Sequence, residues 1–287
     1  MLLNKLNIIH NLLKINWEVD NMSIVKIAEN ENAVLKIMVD EDPQNPREWD
    51  TLGTMICFHR HYNLGDEHNY REPRDFLEEL ANEFIDSEKA ATILKRKADE
   101  EFGQYYVTQD EEGKYVIDSE SGYNPFYRYV YDTEQEAMDD LEAEKQYWIE
   151  NYALQELEDE ELMEIIEANA VILPLYLYDH SGITMSTQPF SCRWDSGQVG
   201  WIYVTHEDIV KEYGDLDIEK AKKVLEGEVE TYDQYLTDDV YGFVLEDKNG
   251  DVIESIWGFY GMDYLEEELK YVLPKEYQDL INELEYV

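Results

Sequence analysis

Cysteines and basic residues are scarce in this sequence. The two cysteines, Cys57 and Cys192, lie far apart in the chain, which excludes a disulfide framework and a CxxC zinc module. This cysteine usage favours a reducing compartment, and we expect a cytoplasmic protein. Only 23 lysines and arginines accompany 67 aspartates and glutamates, so the formal net charge is −44. Because so few cations do not make a broad basic face, we expect no direct binding to nucleic acid or to a membrane.

The common enzyme motifs are also missing. The sequence has no GxSxG nucleophile elbow, no HExxH zinc motif and no phosphate-binding glycine loop. Its "DKNGD" segment places glycine at the wrong position for an EF-hand calcium loop, so a hairpin turn is the better interpretation. We therefore predict no cofactor and no metal, and an enzyme is the less favoured class of protein.

The first 21 residues stand apart from the rest of the sequence. The segment "MLLNKLNIIHNLLKI" lacks the apolar core and cleavage site of a signal peptide, and it is too short and too polar to span a bilayer. The segment "NWEVDNM" back-translates through a ribosome-binding sequence just before the Met22 codon. We expect residues 1–21 to be a non-native leader and Met22 to be the natural start. An amphipathic leader helix is the alternative.

The remaining pattern predicts an α+β protein. A hydrophobic content of 44% is too high for a disordered chain. Residues 22–103 and 171–287 mix strand-like runs with amphipathic helices and an "NG" hairpin signal, without a repeated βαβ unit. This predicts a main α+β domain in which helices flank a mixed, mostly antiparallel sheet. Strands are expected at 54–62, 171–179 and 199–204.

Residues 104–170 differ in character from the segments on either side. They contain 20 acidic and three basic residues, a net charge of −17. Two short strands about an "EEGK" turn predict a hairpin, and "FYRYVYD" predicts a third strand. Thr133 and Glu136 form a capping-box pattern at the start of a long helical stretch, which we expect to break near Asn151. We therefore predict that 104–170 is an acidic insertion or subdomain.

The stretch "CFHRHYNLGDEH" concentrates potential metal ligands and catalytic groups. On a strand, Cys57, His59 and His61 would share one face, while Ile56 and Phe58 would point toward a core. The first and last of the three ligands would lie about 13 Å apart. A single zinc ion, with bonds of about 2.1 Å, does not bridge that distance. A polar strand face leading into a glycine turn is the favoured interpretation, and metal binding by an adjacent pair of these residues is the alternative.

Three longer stretches carry a resemblance to a known group of proteins. They are "WDTLGTMICFHRHYNLGDEH", "LPLYLYDHSGITMSTQPFSCRWDSGQVGWIYV" and "WGFYG". Together they resemble a family of uncharacterised acidic proteins of bacteriophages and mobile elements, over most of the chain after Met22. That resemblance implies no activity and no catalytic residue. The composition is also similar, in charge only, to the antirestriction DNA mimics that inhibit host defence.

The first functional hypothesis is a phage-type interaction protein that binds and inhibits a host defence protein. Its partner would handle nucleic acid and would present a basic surface, and DNA mimicry is one way to bind such a surface. A rigid helix would hold the carboxylates in fixed positions, and homo-oligomerisation stays open. The residues predicted to bind are Glu142, Glu144, Glu156, Glu158, Asp159, Glu160 and Glu161.

The second hypothesis is a small-molecule-binding or hydrolytic protein with a pocket at the strand ends. Histidine, cysteine and carboxylate side chains close together would suit nucleophilic or acid–base chemistry. This hypothesis requires that Cys57 and Cys192 lie on the same side of the molecule. The residues predicted to line the pocket are His59, His61, Asp179, His180, Cys192, Trp194 and Asp195.

Overall fold

The computed structural model describes residues 24–120 and 124–287 of the chain. The predicted leader at 1–21 lies outside the described residues. The described chain forms two compact units. The first unit contains residues 24–59, 173–202 and 222–287, and the second unit contains residues 60–172 and 203–221. This division places residues 60–103 in the same unit as the acidic residues 104–170, whereas the sequence predicts that 60–103 belong to the main domain. That 104–170 is an insertion stays a prediction.

The fold is α+β with mostly antiparallel sheets, which confirms the predicted fold class. The strands are β1 (Ile24–Glu29), β2 (Ala33–Val39), β3 (Thr54–Cys57), β4 (Tyr105–Gln109), β5 (Tyr115–Ser119), β6 (Ala170–Asp179), β7 (Ile183–Ser186), β8 (Ser196–Thr205), β9 (Val240–Asp247), β10 (Val252–Tyr260) and β11 (Glu285–Tyr286). The α-helices are α1 (Pro73–Glu83), α2 (Glu88–Phe102), α3 (Glu134–Asn151), α4 (Asp159–Glu167), α5 (His206–Tyr213), α6 (Ile218–Leu236) and α7 (Met262–Val272). Short 3₁₀ segments cover Pro46–Glu48, Ala153–Glu156 and Lys275–Glu283.

Helix boundaries follow local signals in the sequence. Pro73 occupies the first position of α1, where its missing N–H is no loss. The hydroxyl of Ser87 accepts a hydrogen bond from the N–H of Ala90 (3.2 Å) and caps α2. Helix α5 ends at Tyr213 and is capped by Gly214, whose φ of 82° is the left-handed conformation that glycine adopts without strain. These ends are therefore set by neighbouring residues, before any tertiary packing.

The larger sheet of the first unit has the strand order β10-β9-β2-β1-β11. Leu35 and Ile37 of β2 lie opposite Leu245 and Phe243 of β9, and all four are buried. They form one core with leucines of α7 and of the 3₁₀ segment after it. Burying each such side chain contributes about 1.5–3 kcal/mol relative to leaving it exposed. The hairpin predicted at "NG" is confirmed, since β9 and β10 are antiparallel neighbours.

A smaller sheet has the strand order β3-β8-β6-β7. Its β6 is an internal strand, as its continuous apolar run predicts. Gly200 of β8 lies so close to β3 that a Cβ there would be 1.9 Å from the carbonyl oxygen of Ile56. A side chain at this position would therefore push the two strands apart, and only glycine fits.

Strand β3 corrects one sequence prediction. It ends at Cys57, although the pattern predicts a strand as far as residue 62. Arg60 and His61 are exposed, because they lie after the end of β3 and their polar side chains face solvent. The predicted polar face is also wrong, since Cys57 is buried together with Ile56.

The second unit contains the β4–β5 hairpin and helices α1 to α5. Tyr105 pairs with Ser119 and Gln109 with Tyr115, which confirms the predicted hairpin. The predicted third strand at "FYRYVYD" is wrong, since among the described residues of that stretch Tyr131 alone forms a bridge, to Tyr115. The chain turns instead, because the side chain of Asn124 accepts a hydrogen bond from the N–H of Phe126 (2.8 Å).

Candidate functional site

Helix α3 carries two of the predicted binding residues, Glu142 and Glu144. Its first turn is fixed by a capping box, in which the hydroxyl of Thr133 accepts from the N–H of Glu136 (3.2 Å). The carboxylate of Glu136 accepts in return from the N–H of Thr133 (3.1 Å). The helix ends at Asn151, which confirms the predicted break.

One side of α3 is packed, and this holds the helix in place. Ala137 is fully buried, and Leu141 packs against the cluster that includes Ile117 of the hairpin. Further along, Lys145 forms an ion pair with Asp99 of α2. Because these contacts fix one side of α3, the other sides present their side chains from a firm support.

The remaining sides of α3 are acidic and exposed. The helix has 18 residues, and its acidic side chains are Glu134, Glu136, Asp139, Asp140, Glu142, Glu144 and Glu150, all on exposed residues. Eighteen residues span about 27 Å at about 1.5 Å per residue, which gives about one carboxylate per 4 Å. One strand of B-DNA carries about one phosphate per 3.4 Å. Summed over all sides of the helix, the number of carboxylates per length of α3 is therefore close to the number of phosphates per length of one DNA strand.

Most of these carboxylates face solvent and are not paired with a cation of the described residues. Asp139 and Glu150 accept hydrogen bonds from the neutral amides of Gln135 (2.7 Å) and Gln146 (2.9 Å). Glu142 and Glu144, two of the predicted binding residues, form no ion pair with any residue that the structure describes. Both carboxylates are therefore accessible to the cations of a partner.

The predicted binding residues on α4 lie in a different environment. Asp159 accepts from Arg74 of α1 (2.7 Å). Glu161 contacts both Arg96 (2.7 Å) and Lys97 (3.3 Å) of α2, and its side chain is only 16% exposed. These carboxylates are partly neutralised, and they hold α4 against its neighbours in the second unit. A contribution of Asp159 and Glu161 to partner binding stays a prediction.

The ionisation of Glu161 reflects the balance of these contacts. Burial acts to raise its pKa, but the N–H of Glu158 and the cations Lys97 and Arg96 together lower it below the ordinary glutamate value. The other predicted residues near α4, Glu156, Glu158 and Glu160, are exposed. Glu156 lies beside Trp148 in a shallow cleft of about 200 Å³ that is also lined by glutamates of α2.

Several helices of the second unit end in acidic residues. The last turns of α1 to α4 contain no lysine, arginine or histidine. Glu100 and Glu101 lie at the end of α2, Glu150 at the end of α3, and Glu167 at the end of α4. A negative charge at a helix C-terminus opposes the helix dipole, at a typical cost of about 0.3–1 kcal/mol. Stability of the helices therefore does not explain these acids, and such local conflicts are common at functional sites.

Four residues of the predicted strand-end pocket come together in the first unit. Asp195 Oδ2 lies 3.4 Å from Nδ1 of His180 and accepts from the thiol of Cys192 (3.6 Å). The N–H of Asp179 donates to the carbonyl oxygen of Asp195 (2.8 Å). Trp194 is 96% exposed and projects into solvent, so it does not line a pocket. The cluster therefore holds the loop before β8 in place.

The geometry of this cluster does not match a nucleophilic site. A cysteine nucleophile needs a base against its sulfur, and the base is usually oriented by a third group. Here Asp195 lies between His180 and Cys192, and no direct contact between those two is found among the described residues. The sequence could not reveal that Asp195 lies between His180 and Cys192, because the relative positions of these side chains depend on the turns that connect β6 to β8.

The other predicted pocket residues are distributed differently. Cys57 is buried at the end of β3, and both cysteines are free thiols. His59 lies in the first unit, and His61 lies in the second. Within 24–120 and 124–287, no group of three or more histidine, cysteine and carboxylate side chains is arranged to hold a metal ion.

No helix in those ranges is both long and apolar enough to cross a membrane.

Comparison with known proteins gives no relative from which a function could be inferred: no protein-family model, no curated protein and no solved structure matches the chain.

Proposed function

We propose that the protein is an acidic interaction protein that binds and inhibits a basic, nucleic-acid-handling host protein. The exposed carboxylates of α3, here Asp139, Glu142, Glu144 and Glu150, make the contact. Asp139, Glu142 and Glu150 lie on the side away from the packed residues, and Glu144 lies on the flank next to Ala137. The observation that supports this most directly is the set of exposed carboxylates on a helix whose opposite side is packed. Charges that are already fixed in space lose little conformational entropy when a partner binds.

Mimicry of DNA is the form of binding that the spacing of the charges favours. Summed over all sides of the helix, α3 carries about one carboxylate per 4 Å, which is similar to the number of phosphates per length of one DNA strand. A groove that binds phosphates through lysines and arginines would meet the carboxylates on the exposed side of this helix. The resemblance to acidic phage proteins is consistent with a host defence protein as the target.

The competing explanation is that the charge only keeps the protein in solution. Solubility depends on net charge and not on which residues carry it. It therefore gives no reason to place Glu150 where the helix dipole opposes it, when a lysine there would stabilise the helix. Partner binding along the whole of α3 does explain Glu150, because the acidic surface would then have to continue to the end of the helix.

The test compares two charge-reversed proteins with the parent. The first carries Glu142→Lys, Glu144→Lys and Glu150→Lys on α3. The matched control carries Glu31→Lys, Asp279→Lys and Glu283→Lys, three exposed positions of the first unit with the same change in net charge. Each protein is used to capture partners from a nuclease-treated lysate of a candidate bacterial host, at low and at high salt.

We expect the parent and the control to capture the same nucleic-acid-binding protein and to release it at high salt. The α3 variant should lose it. If the control loses the partner to the same extent, net charge and not α3 is responsible, and the proposed surface is wrong. If the α3 variant keeps the partner, the proposal is also wrong.

A further inference from the structure

Two exposed tryptophans and a half-buried tyrosine form an aromatic patch in the first unit. We use this name for Trp49, Trp257 and Tyr260. The indole of Trp257 lies over Gly242 of the adjacent strand, so closely that a Cβ at Gly242 would be 2.3 Å from Cε3 of the ring. Trp257 remains 44% exposed, and Trp49 40%. Covering a strand glycine with an aromatic ring stabilises a sheet, but it leaves the outer side of the ring available for contacts.

The register of β10 places two of these rings on one face of the sheet. Ile256 lies opposite Phe243, and Phe259 lies opposite Tyr241, so both belong to the core side. An irregularity in the pairing between Ile256 and Phe259 includes Gly258, whose φ is 82°. Trp257 and Tyr260 therefore point to the face away from that core. Irregular pairing along an edge strand also discourages the addition of a further strand.

The ring of Trp49 packs against the ring of Tyr260. The centroids of Trp49 and Tyr260 are 5.0 Å apart, and the planes meet at 87°. The hydroxyl of Tyr260 donates to the carbonyl oxygen of Gln44, which ties β10 to the loop that carries Trp49. The same loop is fixed from the other side, because Arg47 lies 3.2 Å from Glu228 of α6. The patch is therefore a preformed surface.

The surroundings of the patch are acidic. Glu41, Asp42, Glu48 and Asp50 are exposed residues of the loop, and none forms an ion pair with another residue that the structure describes. The single arginine of the loop, Arg47, is turned inward and is only 3% exposed. Two interactions attract cations to this surface. One is the cation–π contact with the ring faces, and the other is the electrostatic attraction of the four unpaired carboxylates.

We propose that the aromatic patch is a second binding surface, which takes arginine or lysine side chains of a basic protein segment through cation–π contacts. A second copy of this chain is a poor occupant, because it would bring the same negative charge. An uncharged apolar segment would gain nothing from the four carboxylates. The patch belongs to the first unit and α3 to the second, so this inference does not depend on the proposed function.

The test uses a tetra-arginine peptide and the intact chain at about 0.15 M salt. Indole N–H signals are assigned by single Trp→Phe variants and are followed by NMR during the titration. We expect the signals of Trp49 and Trp257 to shift together, while that of Trp194, which is 96% exposed and outside the patch, shifts little. The same peptide with citrulline, the uncharged isostere of arginine, should leave all three signals in place.

Variants make the inference falsifiable even if one of them folds poorly. Trp257→Leu should weaken peptide binding about threefold, and the doubly neutralised Glu48→Gln, Asp50→Asn variant, which keeps all three rings, should weaken it as well. Trp194→Leu should have no effect. The charge-reversed α3 variant should keep the shifts at Trp49 and Trp257, which separates this surface from the one on α3.

Several results would overturn the inference. Shifts at Trp194 as large as those in the patch would indicate binding to the overall charge alone. Equal binding of the citrulline peptide would indicate apolar or hydrogen-bonding contacts without a cation. A concentration-dependent dimer that is lost in Trp257→Leu would assign the patch to a second copy of the chain.

Discussion

The loop between β2 and β3 is organised by one glutamate of α6. Glu228 contacts Arg47 (3.2 Å), and its Oε1 accepts from the N–H of Leu52 (2.8 Å). The side chains of Arg47 and Glu228 are 3% and 13% exposed. Removing Glu228 takes a hydrogen-bond acceptor away from the buried guanidinium of Arg47 and from the N–H of Leu52. The residues of the "PREWDTLG" segment therefore have a structural role in placing Trp49.

Glu228→Ala should lower the free energy of unfolding by about 1.5–3 kcal/mol, a range typical of losing a hydrogen bond to a charged group. The matched control is Glu230→Ala, an exposed glutamate on the same helix, which should change it by no more than about 0.5 kcal/mol. Urea unfolding followed by circular dichroism measures both. Equal effects of the two substitutions would contradict the role assigned to Glu228.

At the scale of elements, helices α3 and α4 use their carboxylates differently. Three of the five α4 carboxylates, Asp159, Glu161 and Glu164, pair with cations of α1 and α2. Those of α3 face solvent. The sequence alone placed both helices and the break at Asn151, because caps and periodicity are local signals. It could not separate the two sets of acids, because the cations that neutralise Glu161 lie on another helix and meet it only after folding.

Glu161→Gln should destabilise the protein at neutral pH by about 1.5–3 kcal/mol, a range typical of hydrogen bonds to charged groups. The folded state lowers the pKa of Glu161, so this stabilisation is complete above the ordinary glutamate pKa and is lost as the pH falls through the lower folded value. The effect of the substitution should therefore disappear in acid. Glu160→Gln, at an exposed neighbouring position, is the control.

Unfolding at several pH values checks this prediction. A difference between Glu161→Gln and Glu160→Gln that persists unchanged at low pH would show that the ion pairs are not its cause.

Reversing a charge at the two ends of α3 should have opposite effects on stability. Glu150→Lys removes an unfavourable interaction with the C-terminal end of the helix dipole and should stabilise by about 0.3–1 kcal/mol. Glu134→Lys, in the first turn, should destabilise by a similar amount. Thermal unfolding of the two variants measures the difference. If Glu150→Lys also destabilises, the acids at the helix ends have a structural role, and the argument from the helix dipole fails.

At the scale of the whole molecule, the net charge of −44 is the property on which the proposed class of partner rests. Self-repulsion at this charge opposes a compact state, and the two apolar sheets and their helices offset it. The α+β class could be predicted, because period-two and helical patterns survive in the sequence. The end of β3 at Cys57 and the contact of Trp49 with Tyr260 could not, because both depend on strands and loops that are distant in the chain.

The most direct test of the central claim is the dissociation constant of the captured partner at about 0.05 and 0.3 M salt. It is measured for the parent, for the α3 variant with Glu142, Glu144 and Glu150 reversed, and for the control with Glu31, Asp279 and Glu283 reversed. We predict that the α3 variant binds at least about tenfold more weakly at low salt and loses most of the salt dependence, since fewer charge pairs form across the interface. The control should behave as the parent does. Equal affinity and equal salt dependence of all three proteins would contradict binding through α3.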